Sequence, residues 1–202
     1  RDWSSDVCSS DLYDLAKDLV PVTQLALTPH VLVVHPSLPA NSVAEFIKLA
    51  KAKPGTINYS SPGSGTSAFI PAEIFKRVAD VDIVHVPYKG GGPALQAVIA
   101  GQVQSYFAPS LTAVPPIKQG QVRALALTSV QKLPLMPDLP TLAELGIKDI
   151  DFSNSLGLMV PVKTPDANIA VLNKAAATAL KKPDVVKKVI DLGAIIVASS
   201  PA

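Results

Sequence analysis

The feature that most constrains this chain is the alternation between residues 57 and 128. Short β-branched runs there are each followed by a Gly- or Pro-marked opening and then a helical stretch of about ten residues. A helix that carries the chain from one strand to its neighbour predicts β-α-β units with parallel strands and right-handed crossovers. Residues 57–61, 82–88, 103–107 and 122–128 read as strands. One helix is expected along the stripe Ile70, Ile74, Phe75 and Val78. A second is opened by Gly92-Pro93, with Pro at its first position, and closed by Gly101. A third, short and broken by Pro, covers 111–119 and is capped by Gly120.

Upstream, 23–35 reads as extended in two runs divided by Thr28-Pro29. Ser42-Val-Ala-Glu45 is a capping box, because the Ser hydroxyl can accept from the third amide while the Glu reaches back. Phe46, Ile47 and Ala50 then share a face, and Pro54-Gly55 ends the helix. Downstream, Thr141-Leu-Ala-Glu144 is a second capping box ended by Gly146, and 152–160 is extended. Thr164-Pro165 opens the longest helix, with Ile169, Leu172, Ala176 and Leu180 on one face; 194–199 is the last strand. Extended stretches at 23–35 and 122–128 flank the densest β-α block. One lobe is therefore placed at 36–122. The other is assembled from 13–35, with a hinge strand, and from 123–202, with the hinge return.

The 202 residues are 48% apolar, enough for a buried core and too many for disorder. A net charge of +2 gives no large sequence-independent hold on nucleic acid, and 5% aromatic residues argue against base-stacking platforms. A single cysteine excludes a disulfide scaffold and Cys-rich metal sites. The apolar runs at 31–34 and 194–198 are far shorter than the roughly 20 residues of a membrane-spanning helix. Residues 1–12, RDWSSDVCSSDL, hold the only Trp and the only Cys and lack a secretory h-region. They are read as a non-native tail, so that the native chain begins in mid-protein.

Ligands of open α/β sheets bind beyond the carboxyl ends of strands. Three such ends carry loop chemistry: Ser61-Pro-Gly63-Ser64-Gly65-Thr66-Ser67, Lys89-Gly90-Gly91-Gly92 and Ala108-Pro-Ser110. The first can aim Gly amides and hydroxyls at a ligand above a helix N-terminus, where the dipole favours an anion. The competing structural reading is a turn whose serines only cap the helix. Lys89 is expected to be solvated. Gly63-Ser-Gly65-Thr-Ser-Ala68 fits the loose dinucleotide pattern, but Tyr88-Lys89 stands where an acidic ribose-holding residue belongs. His30, His35 and His85 are expected to be satisfied structural histidines, and no pair has metal-ligand spacing. Ser64 lies outside any nucleophile elbow. No catalytic residue, metal or cofactor is expected.

The run INYSSPGSGTSAFIPAEIFKRVADVDIVHVPYKGGGPALQAVIAGQV, residues 57–103, resembles the Bug family, the periplasmic solute-binding proteins of tripartite tricarboxylate transporters. HPSLPANSVAEFIKLAKAKPG before it, and 121–129, 137–146 and 157–165 after it, extend the resemblance from about Tyr13 to the end. It implies an α/β fold of the two-lobed periplasmic-binding-protein (type II-like) kind, with a ligand cleft closed by hinge motion. It implies a small organic anion, a carboxylate, as ligand, no catalysis, and delivery to membrane permease subunits. A monomer without nucleic-acid partners is expected. Ser61, Gly63, Ser64, Gly65, Thr66 and Ser67 fall on the family's carboxylate-cradling turn; Tyr88, Lys89 and Gly90 fall on its next strand end. Phe69 stands where the family often has His, and Ser155-Leu156-Gly157 lacks its usual aromatic. The family's opening strand and Pro-Pro-Gly-Gly loop are absent, so the first lobe is incomplete and the fragment is expected to be poorly stable alone. A ligand-sensing domain of similar fold and a dinucleotide-dependent enzyme are the alternatives.

Overall fold

A run of four apolar residues without polar alternation fits a strand covered on both faces. Val31, Leu32, Val33 and Val34 are such a run, and all four are fully buried. The computed structural model describes residues 14–148 and 150–200; the expected non-native tail at 1–12 lies outside them. In chain order the elements are α1 (Leu15–Asp18), β1 (Leu19–Val34), α2 (Val43–Ala52), β2 (Ile57–Ser61), α3 (Phe69–Ala79), β3 (Ile83–Pro87), α4 (Gly91–Ile99), β4 (Ser105–Pro109) and α5 (Ser110–Lys118). Then follow β5 (Arg123–Leu127), β6 (Ser153–Pro161), α6 (Asp166–Ala179), α7 (Pro183–Asp191) and β7 (Ile195–Ile196).

The chain divides into two compact units. Among the described residues the larger holds 27–148, 150–154 and 187–195, and the smaller holds 14–26, 155–186 and 196–200. The larger thus takes in all of 36–122, the segment read as one lobe, together with β5 and the end of β1. The chain passes between the units within β1, β6, α7 and β7.

In the larger unit the strand order is β3-β2-β4-β1-β5. β2 is parallel to β3 and to β4, as the alternation predicts. β1 runs antiparallel to both β4 and β5, so the sheet is mixed rather than parallel throughout. Pairing of β1 is non-local and leaves no periodic trace in the sequence. Successive side chains of β1 go to opposite faces. Leu32 and Val34 join Phe46 of α2, Phe75 of α3 and Phe107 of β4. The rings of Phe46 and Phe107 lie 6.0 and 5.5 Å from that of Phe75. Val31 and Val33 join Tyr106 and Ala108 of β4, Leu127 of β5, and Ala94, Ala97 and Val98 of α4.

Several local signals are realised with adjustments. Ser42 accepts from Glu45 N at 3.2 Å, while the Glu45 carboxylate accepts from Asn41, one residue before the cap. The Thr141–Glu144 box is fully reciprocal, at 2.9 and 3.1 Å, but closes a single turn rather than a helix. Pro93 is the third residue of α4, not the first. α3 buries Pro71, Ala72, Phe75 and Ala79; of the expected stripe Phe75 is buried and Ile74 packs half-buried on the core, while Ile70 and Val78 are exposed. Small Ala72 and Ala79 let the helix approach the sheet. The guanidinium of Arg123 donates to the carbonyls of Pro36, Leu38 and Ala40, holding the loop after β1.

In the smaller unit, Thr23 and Gln24 of β1 bond Ser199, and Asn173 of α6 donates to the carbonyls of Val22 and Ser199. Ile169 is buried, but Leu172 of the expected stripe is not, and Val171 is 67% exposed. Among the described residues of this unit the buried apolar side chains are Val22, Ala26 and Ile169. So small a core opens readily. Hydrogen exchange is expected to be faster throughout α6 than in the β1–β4 ladder; equal protection would count against two units of unequal stability.

His30 departs from the expectation of a satisfied histidine. It is fully buried and edge-on to Phe152, with ring centroids 5.4 Å apart, and neither ring nitrogen has a partner among the described residues. Burial pushes its pKa from 6.5 down to about 4. The unfolded chain therefore takes up the proton first as pH falls. Above pH 6.5 this residue does not affect stability; below it stability declines, by about 2 kcal/mol at pH 5. The melting temperature is expected to drop about 4–8 °C more between pH 7.5 and pH 5 in the native protein than in His30→Leu. An identical drop in both would refute this.

Candidate functional site

Because β2, β3 and β4 are parallel, their carboxyl ends share one edge of the sheet, and each is followed by a helix. The turn from β2 to α3 has the most chemistry. Gly63 and Gly65 sit at φ 134° and 76°, conformations that side chains resist. The amides of Ser64, Gly65, Ser67 and Ala68 donate to no described protein group. The competing capping role is not realised: the N-cap of α3 is Ala68 and no side chain caps it. Ser64 and Gly65 are exposed, Thr66 and Ser67 half-buried.

Other predicted residues build the turn instead of facing out of it. Ser61 is fully buried, and its Oγ accepts from Gly63 N at 3.0 Å. The same oxygen lies 3.1 Å from the Gly63 carbonyl and 2.6 Å from Nε2 of His85, so its one proton serves either of them. Thr66 Oγ1 donates to the Gly63 carbonyl at 2.7 Å, and its own carbonyl accepts from Phe69 and Ile70. Tyr88 N donates to the Ser61 carbonyl at 2.8 Å, tying the second strand end to the first. Gly90 caps α4 and accepts from Ala94 N. Lys89 is exposed and forms no ion pair among the described residues. At the third strand end, the hydroxyl of buried Ser110 is spent on the Gly193 carbonyl at 2.5 Å.

Sequence reasoning missed the side chains behind the turn. His85 stacks on Tyr59, its register partner in β2, with ring centroids 5.0 Å apart, and lies 4.8 Å from the ring of Phe69. Burial holds its pKa below the ordinary imidazole value; the Glu73 charge pulls it up and Lys76 pushes it down. The ring is therefore neutral at pH 7. The Tyr59 hydroxyl donates to Glu73, which also takes Lys76 at 3.2 Å; burial and that carboxylate raise the Tyr59 pKa. The signal for His85 is its alignment with Tyr59 in the neighbouring strand, visible only once the register is known. Tyr106 was passed over as well, being read only as the strand residue before a turn.

No group of three or more His, Cys, Asp or Glu side chains among the described residues could hold a metal ion, and no described helix is long and apolar enough to cross a membrane. A shallow hollow of about 550 Å³ lined by Glu73, Ile74, Lys76, Arg77 and Val81 lies on the flank of α3 and includes no residue of the turn. The turn offers hydrogen-bond donors, while the hydroxyl–imidazole pair of Ser61 with His85 lies behind it, with Ser61 buried and engaged with Gly63, an arrangement suited to holding an anion.

Residues 10–201 match the tripartite tricarboxylate transporter family receptor. Protein BugT of Bordetella pertussis is 32% identical over 189 residues, covering 94% of this chain and 58% of that protein. R. palustris Rpa4515, solved with adipate, superposes with a TM-score of 0.84 at 31% identity, over 93% of this chain and 63% of that one. MatC from Rhodopseudomonas palustris, with bound malate, superposes at 0.77 and 31% identity, over 94% and 64%. The chain spans just over half the length of BugT. Its fold is the mixed α/β fold of periplasmic binding proteins, and receptors of this kind are transport components, not enzymes, which removes the dinucleotide-enzyme alternative. With the match running through nearly its whole length, the chain belongs to the tripartite tricarboxylate transporter receptor family of periplasmic solute-binding proteins.

Proposed function

We propose that the protein is a receptor that captures a small dicarboxylate and hands it to the membrane permease subunits of a tripartite transporter. The observation that carries this reading is the set of unengaged amides at Ser64, Gly65, Ser67 and Ala68, at an uncapped helix N-terminus. Ordered neutral donors hold a carboxylate without a matching cation. In this reading Ser64, Gly65 and Ser67 contact the ligand, while Ser61, Gly63 and Thr66 shape the turn. Tyr88 and Gly90 fix the adjoining strand end, and Lys89 adds a positive field. The larger unit is then the lobe that carries the turn. Malate in MatC and adipate in Rpa4515 support a dicarboxylate as the ligand class.

The test is titration calorimetry with malate and adipate on the native protein and on Gly65→Val. Gly65 sits at φ 76° with nothing within 4 Å of an added Cβ, so Val strains the turn without colliding with the lobe. The strain costs about 1–2 kcal/mol. Losing two charge-assisted amide contacts weakens binding by about a hundredfold or more. An unchanged affinity in Gly65→Val would overturn the assignment of the turn.

A further inference from the structure

Leaving a buried hydroxyl unpaired costs about 1–3 kcal/mol, so folded chains seldom do it without a use. Tyr106 is buried as a residue, yet its hydroxyl has no protein partner among the described residues and must find one at the surface of the layer. The residue is 1% exposed, and its ring packs in the apolar layer with Val31, Val33, Ala94 and Leu127. Nothing in that layer calls for an oxygen; Phe would fill the same space. Its register neighbours are Val33 on β1 and Ser60 on β2, and the Ser60 hydroxyl is spent on the Ala94 carbonyl at 2.9 Å. No described group donates to the Tyr106 oxygen or accepts from it. The buried, unpartnered side-chain polar atoms among the described residues are the two ring nitrogens of His30, so the phenol oxygen is not sealed inside.

Its position explains where it opens. A Cβ built on Gly91, the first residue of α4, would stand 3.4 Å from the Tyr106 oxygen and 3.9 Å from Cγ of Pro62. The hydroxyl therefore ends against Gly91, in the turn after β3, with Pro62 of the turn after β2 close to the same spot. The glycine at 91 leaves uncovered the spot where any side chain would lie against the phenol. Burial lifts the Tyr106 pKa to about 12, so the group is a neutral donor at neutral pH.

We infer that Tyr106 is a ligand-contacting, specificity-determining residue, its hydroxyl donating to an oxygen of the acid held at the 61–67 turn. This rests on the receptor reading above. A phenol at that depth favours an acid with a second oxygen function over one whose remainder is alkyl. Tyr106 supplies the contact and Gly91 the access to it.

The experiment measures malate and adipate affinities for the native protein and for Tyr106→Phe, Gly91→Ala and Gly65→Val, with melting temperatures for each. Tyr106→Phe removes one oxygen and leaves the ring packing. It is expected to weaken the tighter-binding acid about tenfold without lowering the melting temperature. Gly91→Ala keeps the hydroxyl but sets a methyl over it, and is expected to weaken the same acid comparably. If Gly65→Val abolishes binding while Tyr106→Phe binds as the native protein does, the inference falls and the receptor reading stands. Loss in Tyr106→Phe with none in Gly91→Ala also overturns it, since the hydroxyl would then act elsewhere. If neither acid binds the native protein, or none of the variants alters binding, both readings fall.

Discussion

The larger unit depends on covering both faces of the end of β1. Val31 through Val34 leave no polar side to turn toward water. Two layers of helix must therefore be supplied, α2 and α3 on one face and α4 and α5 on the other. Short connections provide them only if the strands between run the same way, which sets the parallel arrangement of β2, β3 and β4. The three strand ends then open on one edge, each leading into a helix. The edge that carries the 61–67 turn is thus a consequence of burying four aliphatic residues of another strand.

At that edge the handling of charge is economical. The acidic side chain behind the turn, Glu73, is held by Tyr59 and Lys76. His85 is kept neutral by burial, so it places no charge behind Ser61 at neutral pH. Lys89 is exposed, where solvent and salt screen its field. What remains to face an anion is a set of dipoles: amides and, in our inference, one phenol. Oriented dipoles are directional where a cation is not. Such a site discriminates by the placement of ligand oxygens more than by total charge.

The elements legible in the sequence were those whose causes are local. The strand at 57–61 and the boxes at Ser42 and Thr141 depend on neighbours within a few residues, and the structure has them. The turn at 61–67 was legible because glycine and small hydroxyls at a strand end have few other uses. The rest depended on pairing between distant residues. The antiparallel seat of β1 could not be read from its own pattern, which is apolar on both faces. For α3, two apolar stripes were available, and only contact with the sheet selects the one with Ala72 and Ala79. Ser61 and His85 are 24 residues apart and meet because β2 and β3 align Tyr59 with His85. Tyr106 looks like any aromatic core residue until its oxygen is found without a partner.

The bonds behind the turn answer a cost that its geometry creates. Two positive-φ glycines shape the turn, but glycine loses more backbone freedom on ordering than any other residue. A turn left to itself would be mobile, and binding would have to order it at the expense of affinity. Here the ordering is done in advance. Ser61 holds the Gly63 amide, Thr66 holds the Gly63 carbonyl, and His85 holds Ser61 from the neighbouring strand. Gly63 is thus pinned on both its donor and its acceptor by side chains, while the next residues keep their amides free. Preorganisation of this kind separates two roles that the sequence motif runs together: the Ser61 and Thr66 hydroxyls set the shape, and in the proposed reading the unengaged amides do the binding.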